Sequence, residues 1–121
     1  MGEVGPLRIV VVDNDPDALD LAVTDLGFEG HEIVGWGKSG TEALELVANE
    51  RPDVLVVDHR MPPGPWGADV AEQVAQAYPS TRVIVYSNYR SAELSRRVRA
   101  SGATFLPKGN IRALRRAVRR G

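Results

Sequence analysis

Cysteine is absent from the 121 residues, which excludes disulfides, thiolate metal sites and cysteine nucleophiles. Histidine is scarce: His31 and His59 are too few for a histidine-built zinc site. No apolar run approaches the ~20 residues needed to cross a bilayer, so no membrane role is expected. The N-terminus has no basic start leading into an apolar stretch, so nothing indicates export and the cytoplasm is the expected location. What is present is an ordinary core-forming composition, 43% hydrophobic and 26% charged, in a length that suits one domain over residues 1–121. A chain of this length buries roughly two thirds of the surface it exposes when unfolded, enough for a core without covalent staples.

The net charge of -1 conceals a division along the chain. Residues 1–89 carry 5 basic and 15 acidic side chains, whereas residues 90–121 carry 10 basic and 1 acidic. Such a basic segment either forms solvated helix faces or meets an acidic partner or the acidic surface of a second copy; a homodimer is therefore one expectation. Direct nucleic-acid binding is not expected, because the basic segment has neither zinc-finger spacing nor interleaved aromatic residues.

Short β-branched runs alternate with helical periodicity. Arg8–Val12 reads as a buried strand stopped by Asp13-Asn14-Asp15-Pro16, with Asp15 as cap and Pro16 as first residue of a helix through Leu19, Val23 and Leu26. His31–Trp36 is a weaker strand, and Trp36 is expected in the core. Ser39 and Glu42 have capping-box spacing at the start of a second helix, which Pro52 ends. Val54–Asp58 is the clearest strand; a loop rich in proline and glycine follows, then a helix marked by Val70, Val74 and Ala77. Val83–Tyr86 and Thr104–Leu106 are the fourth and fifth strands, with helices marked by Leu94 and Val98, and by Ile111, Leu114 and Val118. Alternation of this kind predicts an α/β fold, a doubly wound parallel sheet of five strands with helices on both faces.

An open parallel sheet places its ligand sites beyond the C-terminal ends of its strands. At that edge the sequence supplies Asp13, Asn14 and Asp15, then Asp58, Ser87 and Lys108. Acids, a hydroxyl and an ammonium gathered at one edge suit the handling of phosphate with a hard divalent cation, and Mg²⁺ takes oxygen ligands. Gly35, Gly37 and Gly40 lack the spacing of a nucleotide-binding loop.

The stretches VVDNDP at 11–16, VVDHRMP at 56–62, VIVYSN at 83–88 and ATFLPKG at 103–109 resemble the receiver domain of two-component response regulators. The resemblance covers essentially the whole chain, with all the motifs in the family's order. It implies a flavodoxin-like (βα)5 sheet in the order 2-1-3-4-5. It also implies a signalling switch in which Asp58 takes a phosphoryl group from a sensor histidine kinase. Asp58, Ser87 and Lys108 would form the catalytic set, Lys108 neutralising a phosphoryl oxygen or pairing with Asp58 beforehand. Mg²⁺ would be held by Asp13, Asn14, Asp58 and the backbone carbonyl of Arg60, with Asp15 reaching it through water. Ser87 and Phe105 would form the switch pair, and enzymatic activity would extend no further than self-phosphorylation from a donor and slow self-dephosphorylation. FLPKG followed by IRALRRAV is most similar to receivers that precede a helix-turn-helix domain. A DNA-binding output domain, absent from this chain, and control of transcription are thereby implied.

Two departures from the family pattern stand out. The second acid of the β1 turn is Asn14, whose carbonyl can coordinate a cation but brings no charge. The turn after the acceptor, MPPGPWGAD at 61–69, has one residue more than usual, with Pro65 and Trp66 beside Gly67. Trp66 would either plug the loop or shield the phosphorylated aspartate, and His59 would point away from Asp58. These departures motivate the alternative of a pseudo-receiver, an interaction module with weak or no Mg²⁺-dependent phosphorylation.

Overall fold

The computed structural model describes residues 5–120. Elements alternate along the chain: β1 (Arg8–Val12), α1 (Pro16–Phe28), β2 (Glu32–Gly37), α2 (Gly40–Glu50), β3 (Val54–Val57), α3 (Gly67–Ala77), β4 (Arg82–Ser87), α4 (Ala92–Ala100), β5 (Thr104–Pro107) and α5 (Ile111–Arg119). All strand pairings are parallel, and the order is β2-β1-β3-β4-β5, as the sequence implies.

The period of two along each central strand sorts its side chains into two cores. Val10, Val12, Leu55, Val57, Val83 and Val85 face Ala43, Val47, Ala71, Val74, Leu94 and Val98 of α2, α3 and α4. Ile9, Val11, Val54, Val56, Ile84 and Tyr86 face Leu19, Ala22, Leu26, Leu114 and Val118 of α1 and α5. Because both faces are covered, the central strands read as continuous apolar runs rather than alternating ones. Burying each such side chain contributes about 1.5–3 kcal/mol.

Helix starts follow the local chemistry. Asp15 accepts the Asp17 N–H with Pro16 at the first turn, and Ser91 and Asn110 accept the N–H groups of Leu94 and Ala113. At α2, Ser39 Oγ accepts the Glu42 N–H, but the Glu42 carboxylate accepts the Lys38 N–H and the Ser39 hydroxyl instead of the Ser39 N–H. At α3 the capping residue is Trp66, whose indole has no acceptor; the Asp69 carboxylate takes the Trp66 N–H. At the far end of the sheet, Arg82 of β4 donates to the carbonyls of Ala117 and Val118 in the last turn of α5.

The structure corrects the expectation that Trp36 is core. Register shifts between Ile9 and Val10, which pair with Ile33 and Gly35. β2 is also an edge strand, with no further strand beside it to cover Trp36. Trp36 is 61% exposed and borders a groove of about 330 Å³ with Pro16, Leu19, Asp20, Val23 and Lys38.

The loop between β3 and α3 lies on the start of α2 through backbone contacts. The Gly40 N–H donates to the Met61 carbonyl at 3.0 Å, and a Cβ at Gly40 would stand 1.8 Å from the Pro65 carbonyl oxygen. At Gly27, in α1, a Cβ would meet nothing within 4 Å. The two glycines therefore respond oppositely to alanine. Gly27→Ala gains about 0.5–1 kcal/mol in urea unfolding, whereas Gly40→Ala loses about 1–3 kcal/mol because backbone must move.

Candidate functional site

Strand ends fix the site. The Asp13 N–H donates to the Gly37 carbonyl and the Asp58 N–H to the Val12 carbonyl, each at 3.0 Å, so the ladder continues one residue beyond β1 and β3. Both carboxylates thus emerge at the C-terminal edge in the middle of the sheet. Ser87 closes β4, and the Lys108 N–H donates to its carbonyl at 3.1 Å. That bond aims the lysine side chain back across the edge.

Lys108 Nζ lies 2.6 Å from Asp13 Oδ2 and 3.3 Å from Asp58 Oδ2. The expected pairing with Asp58 is present, and the pairing with Asp13, which sequence reasoning missed, is shorter. The three side chains are only 7–11% exposed. Asp58 Oδ1 accepts the His59 N–H at 2.7 Å, and Asp13 Oδ1 accepts the Asp15 N–H at 2.9 Å. Burial pushes the Asp13 carboxyl up from 3.8 to about 6, against the opposing pull of Lys108 and the Asp15 N–H. Burial acts to lower Lys108, but the Asp13 and Asp58 carboxylates outweigh it and hold the ammonium above its usual range.

A cleft of about 450 Å³ opens above these groups, lined by Asn14, Asp15, Asp58, Arg60, Ser87, Asn88, Tyr89 and Lys108. Ser87 is buried, and its Oγ accepts the Tyr89 N–H at 3.1 Å. Asp15 is exposed, its carboxylate engaged as the α1 cap. Phe105 is half-buried in β5 and packs against the core that contains Val83 and Val85.

The β3–α3 loop adds a feature that the sequence did not reveal. The His59 ring is buried, stacked on Tyr89 at 5.5 Å and edge-on to Trp66 at 5.2 Å. The Arg60 guanidinium lies over both outer rings, 5.4 Å from Trp66 and 5.7 Å from Tyr89. These groups couple the loop after β3 to the loop after β4, beside Asp58. His59 Nδ1 has no hydrogen-bond partner among the described residues; ring packing holds the histidine. Gly67 is required below the stack, since a Cβ there would stand 2.4 Å from the Asp58 carbonyl oxygen.

Among the described residues no three His, Cys, Asp or Glu side chains gather as a metal site. The donor set nonetheless fits a hard cation of modest affinity. Asp13 and Asp58 already converge on one cationic atom, Lys108 Nζ, and every further donor would be a neutral oxygen or act through water.

The raised Asp13 pKa has a defined sign. Folded Asp13 binds its proton more tightly than unfolded Asp13, so its contribution to stability grows as pH falls from about 6 towards 3.8 and is lost as pH rises through 6. In metal-free buffer, carboxyl NMR is expected to show Asp13 titrating near 6. Lys108→Ala raises that midpoint further, because the opposing cation is gone; a midpoint near 4 in the wild type would contradict the burial.

Comparison with known proteins agrees with this fold. The model of the response regulator receiver domain matches residues 9–119. Oxygen regulatory protein NreC of Staphylococcus epidermidis is 32% identical over 104 residues, which cover 80% of this chain and 45% of that protein. The chain therefore spans about half the length of such relatives. The signal receiver domain of a Mycobacterium tuberculosis protein designated the response regulator NarL superposes with a TM-score of 0.85 at 32% identity, covering 97% of this chain and 100% of that one. A CheY from Borrelia burgdorferi, in complex with CheX, BeF3 and Mg²⁺, has the same fold at 22% identity, with a TM-score of 0.87 and coverage of 94% and 87%.

Proposed function

We propose, from the premise that this chain belongs to the response regulator receiver domain family, that Asp58 is its phosphoacceptor and that Ser87 and Lys108 complete the transfer site. A receiver is a signalling module that accepts a phosphoryl group and feeds an output domain. The observation that carries the assignment is Asp58 itself: a buried carboxylate at a strand end, one oxygen held by the His59 N–H, the other facing Lys108 at the base of the cleft.

In the proposed transfer an Asp58 oxygen attacks phosphorus on a phosphohistidine of a kinase. A P–O bond forms, the P–N bond breaks and the imidazole leaves with the electron pair and takes up a proton. Lys108 holds a phosphoryl oxygen in place of its resting carboxylate partners. Asp13, Asn14, Asp58 and the Arg60 carbonyl would hold Mg²⁺, with Asp15 reaching it through water. That ion, when bound, would offset charge on the phosphoryl oxygens; the Borrelia relative described with Mg²⁺ and BeF3 supports this reading. The output domain is proposed to be a DNA-binding one outside these 121 residues, in keeping with relatives about twice as long. None of the described helices is long and apolar enough to cross a membrane.

Acetyl phosphate with Mg²⁺ is expected to add one phosphoryl group, ~80 Da by intact mass, and Asp58→Asn to add none. Labelling that persists in Asp58→Asn would overturn the assignment. The competing reading, an interaction module that has lost phosphotransfer, draws on Asn14; absence of both Mg²⁺ binding by calorimetry and labelling would favour it.

The switch would run through Ser87. Its Oγ accepts the Tyr89 N–H at rest, and recruitment to a phosphoryl oxygen would release Tyr89 from the stack on His59 and Trp66. Phe105 would then shift within β5 beside it. In a Trp36→Phe background, where Trp66 is the sole indole, beryllofluoride with Mg²⁺ should change Trp66 emission. The change should vanish in Asp58→Asn; an emission unaffected in a sample shown to bind beryllofluoride would exclude the ring stack from the switch.

A further inference from the structure

The last two helices carry a surface of one sign. Arg112, Arg116 and Arg120 follow one another at intervals of four along α5, and Arg96 and Arg99 stand on α4; all five are exposed. Among the described residues none of the five takes part in an ion pair, whereas Arg97, Arg115 and Arg119 do. α4 packs on one core of the sheet and α5 on the other, with the edge strand β5 between them. Both sets of arginines therefore border the same edge of the molecule.

The fold does not account for this row. Like charges four residues apart disfavour a helix. The helix dipole favours cations near the C-terminus, but Arg112 stands in the first turn of α5, where the dipole opposes one. A merely solvated face would be served by lysine, whose ammonium is the more strongly hydrated. Yet the segment 90–121 has nine arginines and one lysine, and that lysine, Lys108, is turned to Asp13 and Asp58.

We propose that the α4–β5–α5 edge binds the phosphate backbone of duplex DNA, without regard to base sequence, through Arg112, Arg116 and Arg120 with Arg96 and Arg99 beside them. Residues four apart on a helix are about 6 Å apart along its axis, so the α5 row is a regular line of charge about 12 Å long. A regular line of one sign suits a polymer whose opposite charge also repeats regularly. The guanidinium fork matches phosphate oxygens with two parallel hydrogen bonds. Nothing bulky and uncharged stands in front of the row: Ala113 and Ala117 are short, and Leu114 and Val118 are buried. Neighbouring acids are already engaged, Asp25 and Glu29 by Arg115 and Arg119, and Asp69 and Glu72 by Arg97. An approach over β5 meets one acid in the segment 90–121, Glu93. Two copies of so uniform a face repel, so the edge does not join two copies of this chain. Zinc-finger spacing and interleaved aromatics serve the reading of bases and stacking on single strands; contact with a duplex backbone requires neither. The contact does not pass through Asp58, so it stands or falls separately from phosphotransfer.

Fluorescence anisotropy of a labelled duplex of about 20 base pairs, titrated with the 121-residue chain, tests the proposal. Five phosphate contacts give log affinity a slope of about -4.5 against log salt, a loss of roughly 500-fold between about 50 and 200 mM. Arg112→Ala with Arg116→Ala should make that slope shallower by about 1.8. Alanine favours the helix, so this variant stays folded. Lys38→Ala, which removes a cation elsewhere on the surface, should leave the slope unchanged, and Asp58→Asn should bind as the wild type does. Two duplexes of unrelated sequence should bind alike. Amide shifts on adding DNA should move along α4 and α5 and not along α1. Absence of binding at low salt up to about 1 mM protein overturns the proposal. So does a slope that the double variant leaves unaltered, or a set of shifts confined to α1. Polyglutamate that binds as tightly as the duplex, with the same loss in the double variant, overturns it in favour of an acidic protein partner.

Discussion

Two carboxylates cannot remain ionised in a shared low-dielectric site without a cation between them, and in this fold Lys108 supplies it. The rest of the edge is arranged around that requirement. β1 and β3 must be neighbours so that Asp13 and Asp58 emerge together, which the central place of both strands in the order β2-β1-β3-β4-β5 provides. The lysine arrives from β5 and needs a long side chain to reach across β4. Its own N–H is tied to Ser87, so the hydroxyl-bearing strand end and the cation-bearing loop form one unit. With Asn14 in place of a second acid, the single ammonium faces two carboxylates rather than three. The resting site is consequently closer to neutral than one with three acids would be.

The sheet was legible because strands buried on both faces leave an unmistakable pattern of β-branched runs separated by helical periodicity. The strand-end residues were legible for a related reason: topology alone brings Asp13, Asp58, Ser87 and Lys108 to one edge. What the sequence concealed depends on side-chain geometry between loops. Lys108 has two acids within reach, and only the path of the β5–α5 loop decides that Asp13 is the nearer. Trp36 has a core residue's identity but sits at the end of an edge strand after a register shift, where nothing covers it. His59, Trp66 and Tyr89 are separated along the chain, and no periodicity signals that three rings from two loops will meet.

The arginines of the C-terminal quarter, which looked alike in sequence, divide into separate groups. Arg97 joins α4 to α3 through Asp69 and Glu72, and Arg115 and Arg119 join α5 to α1. Partly exposed pairs of this kind each contribute little to stability. Their effect is on position, because each fixes one peripheral helix relative to its neighbour. Arg82 adds a third tie from the opposite end of β4 to the last turn of α5. The strand that ends in Ser87 therefore also anchors the end of the final helix.

The floor and the roof of the β3–α3 loop are made of different material. Gly40, Gly64 and Gly67 let main chain lie directly on main chain or on Thr41, with no room for a Cβ. Pro62, Pro63 and Trp66 point away from that floor and are exposed. Substitution is thus forbidden beneath the loop, whereas above it Trp66 is held by the ring stack and the exposed Pro62 and Pro63 are the freer positions. In a lineage that diversifies its partners, the outer residues can drift while the seat of the loop stays constant, and recognition can be rewritten without rebuilding the site it guards.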